Sequence, residues 1–208
     1  MNSNTLSTVA VGISTLTAGA LAADTSDVNE LVAKIKSKDD AVRGPAWQGA
    51  GPVGAQAVGP LADVMTDPDF ETARCAKRAI ERIVRHAGRP GADPERKAVQ
   101  GELVKLLKHN AVTVRRHAAW MLSEIGDDAA VEPVAALFAD AEAREDARCS
   151  LERIPGAAAT AALRKAMTSV PEEFKNAVAN SLRVRGEQVE GYPSKKLVPT
   201  KQTSVKAG

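Results

Sequence analysis

A short pattern of apolar and small residues recurs along the chain at helical spacing. In the best-defined copy, Ala118, Leu122 and Ile125 follow one another at steps of four and three positions. Side chains at these steps lie on the same face of an α-helix. The pattern therefore predicts an amphipathic helix with one buried face.

The same skeleton, usually opened by an arginine or a lysine, occurs in five copies with a period of about 30 residues, within the range typical of repeat proteins. Between the copies lie shorter apolar patterns at helical spacing, and each of these ends in a polar break rich in Asp, Asn or Ser. Such residues favour the first position of a helix because their side chains accept bonds from free backbone N–H groups. The predicted unit is therefore helix, short turn, helix. Its predicted core positions are Ala46, Ala76, Ile80, Ile83, Ala118, Leu122, Ile125, Ala147, Leu151, Ile154 and Leu182.

Three segments of the chain resemble HEAT repeats of the short kind found in phycobilin lyase subunits. They are VTVRRHAAWMLSEIGDDAAVEPVAALFAD, AVRGPAWQGAGPVGAQAVGPLADVMTDPD and DARCSLERIPGAAATAALRKAM. The resemblance implies an all-α fold, a right-handed α-solenoid of about five HEAT-like helix pairs in an armadillo-like superhelix. Residues 23–186 are expected to form this domain, because stacked pairs bury a continuous core that one pair cannot bury alone.

Two segments depart from the repeat. Residues 86–100 lengthen one step between copies, and we expect a surface loop there with at most one extra helical turn at 94–97. This insertion is either functional or simply tolerated. Residues 187–208 lack helical periodicity, and we expect a C-terminal extension that either caps the last repeat or is disordered.

The N-terminal segment has the composition of an export signal. No charged residue precedes Asp24, the stretch 8–22 is apolar and small, and Ala20-Leu21-Ala22 forms an A-x-A cleavage pattern. Residues 1–22 are therefore predicted to be a signal peptide that directs the protein to the periplasm, the envelope or the medium. The lack of Lys or Arg near Met1 keeps an alternative open, a cytoplasmic protein with an uncharged leader. The stretch is too short and too polar to span a membrane.

Charge and composition narrow the functional classes. The net charge is +2, whereas dedicated nucleic-acid binders carry a strong basic excess, so this class is disfavoured. The three histidines, His86, His109 and His117, form no H-x-x-x-H pattern, and none precedes a glutamate. HEAT-repeat iron hydroxylases depend on His-Glu pairs, so we expect no metal, no cofactor and no enzymatic activity. We expect the histidines at the surface or at helix ends.

The two cysteines are predicted to be free thiols. Cys75 and Cys149 belong to copies two stacking steps apart, which places them on the order of 20 Å from each other when neighbouring helices pack 8–10 Å apart. A disulfide requires Cα atoms within about 7 Å.

Basic residues on the second helix of each pair are the main candidate site. In HEAT stacks these helices line the concave surface, where an arginine ladder would meet an acidic partner. The alternative is a structural ladder, in which the arginines pair with interleaved acids such as Asp69 or Asp140. Trp47 and Trp120 are either core-edge residues or anchors for a partner. The predicted partner-binding face comprises Arg74, Arg78, Arg82, Arg115, Arg116, Trp120 and Arg148.

These observations favour a non-catalytic scaffold that binds a protein or peptide in the periplasm or cell envelope. A second hypothesis, an accessory subunit of a lyase or another enzyme, follows from the resemblance to phycobilin lyases. A third, a nucleic-acid binder, is disfavoured by the balanced charge and the scarcity of aromatic residues, which make up 3% of the chain.

Overall fold

The structure, a computed structural model, describes residues 25–194. This part of the chain contains ten α-helices and no strand, which confirms the predicted all-α class. Within the same range, no helix combines the length and the apolar character that a membrane span requires. The predicted signal peptide, 1–22, and the tail beyond residue 194 lie outside the described residues.

The ten helices match the predicted alternation of first and second helices. The first helices of the pairs are α1 (Thr25–Ile35), α3 (Val58–Val64), α5 (Asp93–Leu106), α7 (Asp128–Ala136) and α9 (Ala157–Ala166). The second helices are α2 (Asp40–Gln48), α4 (Phe70–Ala87), α6 (Val112–Ile125), α8 (Arg144–Arg153) and α10 (Glu172–Val184). Short 3₁₀ turns lie at Gly51–Val53, Ala55–Ala57 and Leu137–Ala139.

The helices pack in two layers. Each odd-numbered helix contacts the even-numbered helix that follows it, and within each layer every helix contacts the next one. α6, for example, packs against α5 of its own pair and against α4 and α8 of its layer. Neighbouring helices of each layer therefore meet in chain order.

The core lies between the two layers and agrees with the predicted positions, with one exception. Ala46 is only half-buried, because α2 has extensive contacts only with α1 and α4, whereas α4 is enclosed on more sides. The other predicted core residues are all buried: Ala76, Ile80, Ile83, Ala118, Leu122, Ile125, Ala147, Leu151, Ile154 and Leu182.

Local interactions define where several helices begin and end. Asp39, Asp69 and Asp127 occupy N-cap positions of α2, α4 and α7, and each side chain accepts a backbone N–H of the first turn. At the C-terminal end of α8, the Arg185 guanidinium donates to the carbonyl group of Ile154 at 2.7 Å. It also donates to the carbonyl group of Gly156, just beyond this helix, at 2.6 Å. These bonds satisfy backbone groups that a helix end leaves without partners.

The prediction of a surface loop at 86–100 is wrong, because the non-helical segment is much shorter. α4 continues to Ala87 and α5 begins at Asp93, so only residues 88–92 are non-helical. Pro94 stands in the first turn of α5, where a missing N–H costs nothing, and Val99 is buried on the inner face. Because the first two turns of α5 are mostly polar, they carry little of the apolar periodicity that predicts a helix.

The described start of the C-terminal extension lies on the last helix pair. The Arg183 guanidinium donates to the carbonyl of Tyr192, and the Tyr192 hydroxyl donates to Glu172 at 2.9 Å. Arg164 of α9 forms an ion pair with Glu187. Residues 187–194 therefore contact both helices of the final pair.

We expect Leu122→Ala to lower the free energy of unfolding by about 2–5 kcal/mol, because it leaves a cavity between the layers at a fully buried site. Chemical denaturation followed by circular dichroism measures this change. Val184→Ala is the matched control, since Val184 is 70% exposed and its loss should change stability by less than about 0.5 kcal/mol. Equal effects of the two substitutions would contradict the burial of Leu122 in a core between the two layers.

Candidate partner-binding surface

A groove of about 700 Å³ lies on the outer surface of the even-numbered helices, between α4 and α6. Phe70, Arg74 and Lys77 line it from α4, and Arg116, His117 and Trp120 line it from α6. The remaining lining residues are Met65, Ala73, Glu81, Thr113 and Asp146. We call this feature the α4–α6 groove.

Two exposed aromatic rings flank the groove. Phe70 is 72% exposed at the start of α4, and Trp120 is 40% exposed in the third turn of α6. Arg74 lies 5.7 Å from the centre of the Phe70 ring, and Arg153 lies 5.1 Å from the Trp120 ring. These cation–π contacts hold charge beside apolar surface, a combination enriched at the centres of protein interfaces.

Trp47 has a different environment from Trp120. It is half-buried, and the guanidinium groups of Arg78 and Arg82 lie 5.1 and 5.5 Å from its ring centre. The ring therefore holds two arginines of α4 in place instead of presenting a free anchor.

The outer face of α4 carries positive charge without carboxylate partners. Within residues 25–194, Lys77, Arg78 and Arg82 make no ion pair within 4.0 Å. Arg74 and Arg116 do have partners, Glu71 and Asp146 respectively. A local excess of cations therefore lies along α4 although the chain as a whole is near charge balance.

Two residues of the predicted face are engaged within the fold. Arg115 bonds Asp140 at 2.9 Å and donates to the carbonyl groups of His109 and Asn110 at 2.8 Å. Arg148 bonds carboxylates on its own helix and the hydroxyl of Ser181 on α10. Its hydrogen bond to Glu145 raises the pKa of the guanidinium above its usual range.

The alternative of a structural ladder, in which arginines pair with interleaved acids, describes Arg115, Arg148 and also Arg43. The Arg43 side chain is buried, bonds Asp40 and lies 3.9 Å from Asp69. The structure thus separates the basic set into an interior ladder and a group on α4 that is available to a partner.

His117 differs from the expected surface or helix-end position. It is buried in the middle of α6, where it lines the groove, and its Nε2 has no hydrogen-bond partner within the described part of the chain. Burial lowers the pKa of the imidazole to about 4, and the charge of Lys77 acts in the same direction. The prediction fails because α6 is enclosed by α4, α5 and α8, so its buried face is wider than the Ala118–Leu122–Ile125 stripe.

The other candidate ligands are dispersed. His86 lies in the last turn of α4, 3.8 Å from Glu95, and His109 lies between α5 and α6, 3.4 Å from Asp63. Cys75 and Cys149 are free thiols, as predicted. In the described residues, no three His, Cys, Asp or Glu side chains come together in a way that would hold a metal ion.

No family model and no curated protein matches the chain. An engineered protein of the Northeast Structural Genomics Consortium is similar at 25% identity and a TM-score of 0.39, over 76% of this chain and 78% of that one. Another engineered protein of that consortium is similar at 19% identity and a TM-score of 0.41, over 78% of this chain and 86% of that one. Human deoxyhypusine hydroxylase, solved with glycerol, is similar at 17% identity and a TM-score of 0.38, over 78% and 75%.

The last of these similarities corrects the prediction that the chain is not an enzyme. That prediction rested on the absence of His-Glu pairs, and it is contradicted because an enzyme, deoxyhypusine hydroxylase, is among the similar structures. A likeness of this strength assigns no activity to the chain.

We expect His117 to make the protein less stable in acid. Its folded-state pKa of about 4 lies below the ordinary value of 6.5, so folding favours the neutral ring. The neutral ring's contribution to the free energy of unfolding is therefore fully present above pH 6.5, and it is lost as the pH falls from 6.5 towards 4. Between pH 7.5 and pH 4.5 the free energy of unfolding should fall by about 2–3 kcal/mol more in the wild type than in His117→Gln. Urea denaturation at the two pH values measures the difference, and an identical fall in both proteins would refute the burial of this ring.

Proposed function

We propose that the chain is a HEAT-like, right-handed α-solenoid of five helix pairs that acts as a protein-binding scaffold. The single observation that carries the proposal is the α4–α6 groove, where Phe70 and Trp120 are exposed beside Lys77, which makes no ion pair within the described residues. Large exposed rings with arginines around them are typical of surfaces that another protein covers.

The packing of the helices supports the repeat interpretation. Five successive pairs contact one another in order, and each layer is continuous from one pair to the next. In a stack of this kind the second helices form one extended surface, so residues from α2, α4, α6 and α8 can contact the same partner. The α4–α6 groove lies in the middle of that surface.

The mixed charge of the groove favours a protein over a nucleic acid. Glu81 and Asp146 line the groove together with Arg74, Lys77 and Arg116. A phosphate backbone carries one sign of charge along its whole length and would be repelled by the two carboxylates. The other hypothesis, an accessory subunit of a lyase, rests on the resemblance of the repeats.

We also propose that the scaffold works outside the cytoplasm. The support comes from the uncharged N-terminal stretch with its A-x-A pattern, which lies outside the described residues.

Site-specific photo-crosslinking in the native host tests the binding surface. A photoreactive amino acid at position 120 should form a covalent adduct with one protein partner, because Trp120 is exposed beside the groove. The same amino acid in place of Lys105, exposed on α5 in the other layer, should not form this adduct. With the identified partner in purified form, Trp120→Ala should weaken binding by about 30-fold or more, the threshold of an interface hot spot.

Failure of position 120 to form any specific adduct, or equal adducts at both positions, would count decisively against this surface.

N-terminal sequencing of the protein made in its own host tests export. We expect the mature chain to begin at Ala23, after cleavage behind Ala22. Fractionation should place that form in the periplasm, the envelope or the medium. A cytoplasmic chain that retains the stretch 1–22 would refute this part of the proposal.

A further inference from the structure

We propose that the outer face of α4, together with the α4–α6 groove beside it, recognises an acidic peptide segment that contains an aromatic or large aliphatic side chain. The inference rests on the proposed function and deepens it, because it assigns a chemistry to the partner. Its support comes from charge, spacing and apolar surface, each of which is independent of the HEAT resemblance.

The unpaired cations on α4 favour a partner rich in carboxylates. Lys77 lines the groove, and Arg78 and Arg82 lie on the side of α4 that faces Trp47. Lys77, Arg78 and Arg82 make no ion pair within the described range, and Lys77 and Arg82 are exposed. Trp47 holds the guanidinium groups of Arg78 and Arg82 at fixed positions, so less conformational freedom is lost when a carboxylate binds them. Arginine also binds carboxylates through two parallel hydrogen bonds, which fixes their orientation.

The spacing of the cations suits an extended peptide. Arg78 and Arg82 are four residues apart, so their guanidinium groups follow each other along one side of α4 with a rise of about 6 Å. In an extended strand, alternate side chains point the same way and are about 6.6 Å apart. A segment with acidic residues at every second position can therefore follow the helix and meet one cation per carboxylate.

The apolar part of the groove provides the anchor. Phe70 and Trp120 are exposed on its two sides, and Met65 and Ala73 contribute further apolar lining. Its volume of about 700 Å³ lies within the range of sites that enclose small ligands, which is ample for one large side chain. An aromatic or aliphatic side chain of the peptide would pack in this groove and remove part of its apolar lining from water.

The acids in the groove exclude a uniformly anionic partner. Glu81 and Asp146 interrupt the cations, and Glu71 already neutralises Arg74. A peptide can place neutral or apolar residues opposite these carboxylates, whereas a nucleic acid cannot.

Selection from a phage-displayed library of random dodecapeptides on the full chain tests the inference. We expect the enriched peptides to carry an excess of Asp and Glu together with a Phe, Trp, Tyr, Leu or Met. A synthetic peptide of the enriched sequence should bind the wild type in a fluorescence anisotropy titration, with an affinity that falls as salt rises.

Paired charge reversals provide the matched comparison. Lys77→Glu/Arg82→Glu should weaken binding of the synthetic peptide at least about 10-fold, the size expected when charged interface contacts are lost. Lys105→Glu/Lys108→Glu, an equal reversal at exposed positions of the other layer and its turn, should change it less than about twofold. Trp120→Ala should weaken binding and leave the salt dependence intact, because it removes the anchor and no charge. Circular dichroism of each variant verifies that the fold is retained.

Three results would overturn the inference: no enriched peptide, enriched peptides without acidic excess, or equal losses in the two charge-reversed variants. Retention of DNA oligonucleotides on filters at low salt, abolished by Lys77→Glu/Arg82→Glu, would overturn it in favour of a nucleic-acid partner. If position 120 crosslinks a partner in the host but the selected peptides are not acidic, the inference fails and the proposed function stands. If position 120 crosslinks nothing, the proposed function itself fails.

Discussion

Burial of each helix's apolar stripe by its neighbours is the constraint on which the rest of the structure depends. A single pair such as α5 and α6 leaves part of this stripe in water, and only contact with the pairs on either side removes it. Leu122 and Met121 show the result, because both are fully buried although they lie on different sides of α6. The contacts that set the order of the pairs along the array are therefore also the contacts that stabilise the fold.

The same constraint determines where the charged side chains lie. Since the inner faces are occupied mostly by Ala, Val, Leu and Ile, nearly all charged side chains lie on the outer faces and in the turns between pairs, and Arg43 is a buried exception. Some arginines there join one pair to the next: Arg115 reaches Asp140, Arg116 reaches Asp146, and Arg185 binds carbonyl groups at the end of α8. Lys77, Arg78 and Arg82 of α4 make no such ion pair in the described residues, and Lys77 lines the α4–α6 groove.

Several features follow from short-range physics and were accessible from the amino-acid pattern. The steps between Ala118, Leu122 and Ile125 fix a helical face whatever the neighbours are. Asp69 caps α4 through a bond to a backbone N–H three residues away, and that bond lowers the pKa of its carboxyl group. The separation of Cys75 and Cys149 also follows from the repeat, since copies that are not adjacent cannot touch.

Other features depend on contacts between residues far apart in the chain. His117 is polar and sits beside the predicted stripe, yet it is buried because α4 covers that side of α6. The first turns of α5 are polar, so the sequence pattern does not indicate a helix there. The inner residues of α5, such as Val99, are buried because α6 packs against them.

Amphipathic helices in pairs could be predicted from the amino-acid pattern alone, because the period of side chains around a helix is a local property. Which basic residues lack a carboxylate partner became clear only from the packing of the helices. Arg78 and Arg115 stand in similar surroundings in the sequence, yet one lies over Trp47 without a carboxylate and the other is held by Asp140. Ion pairing depends on distances across the array, and these distances exist only after the pairs have stacked.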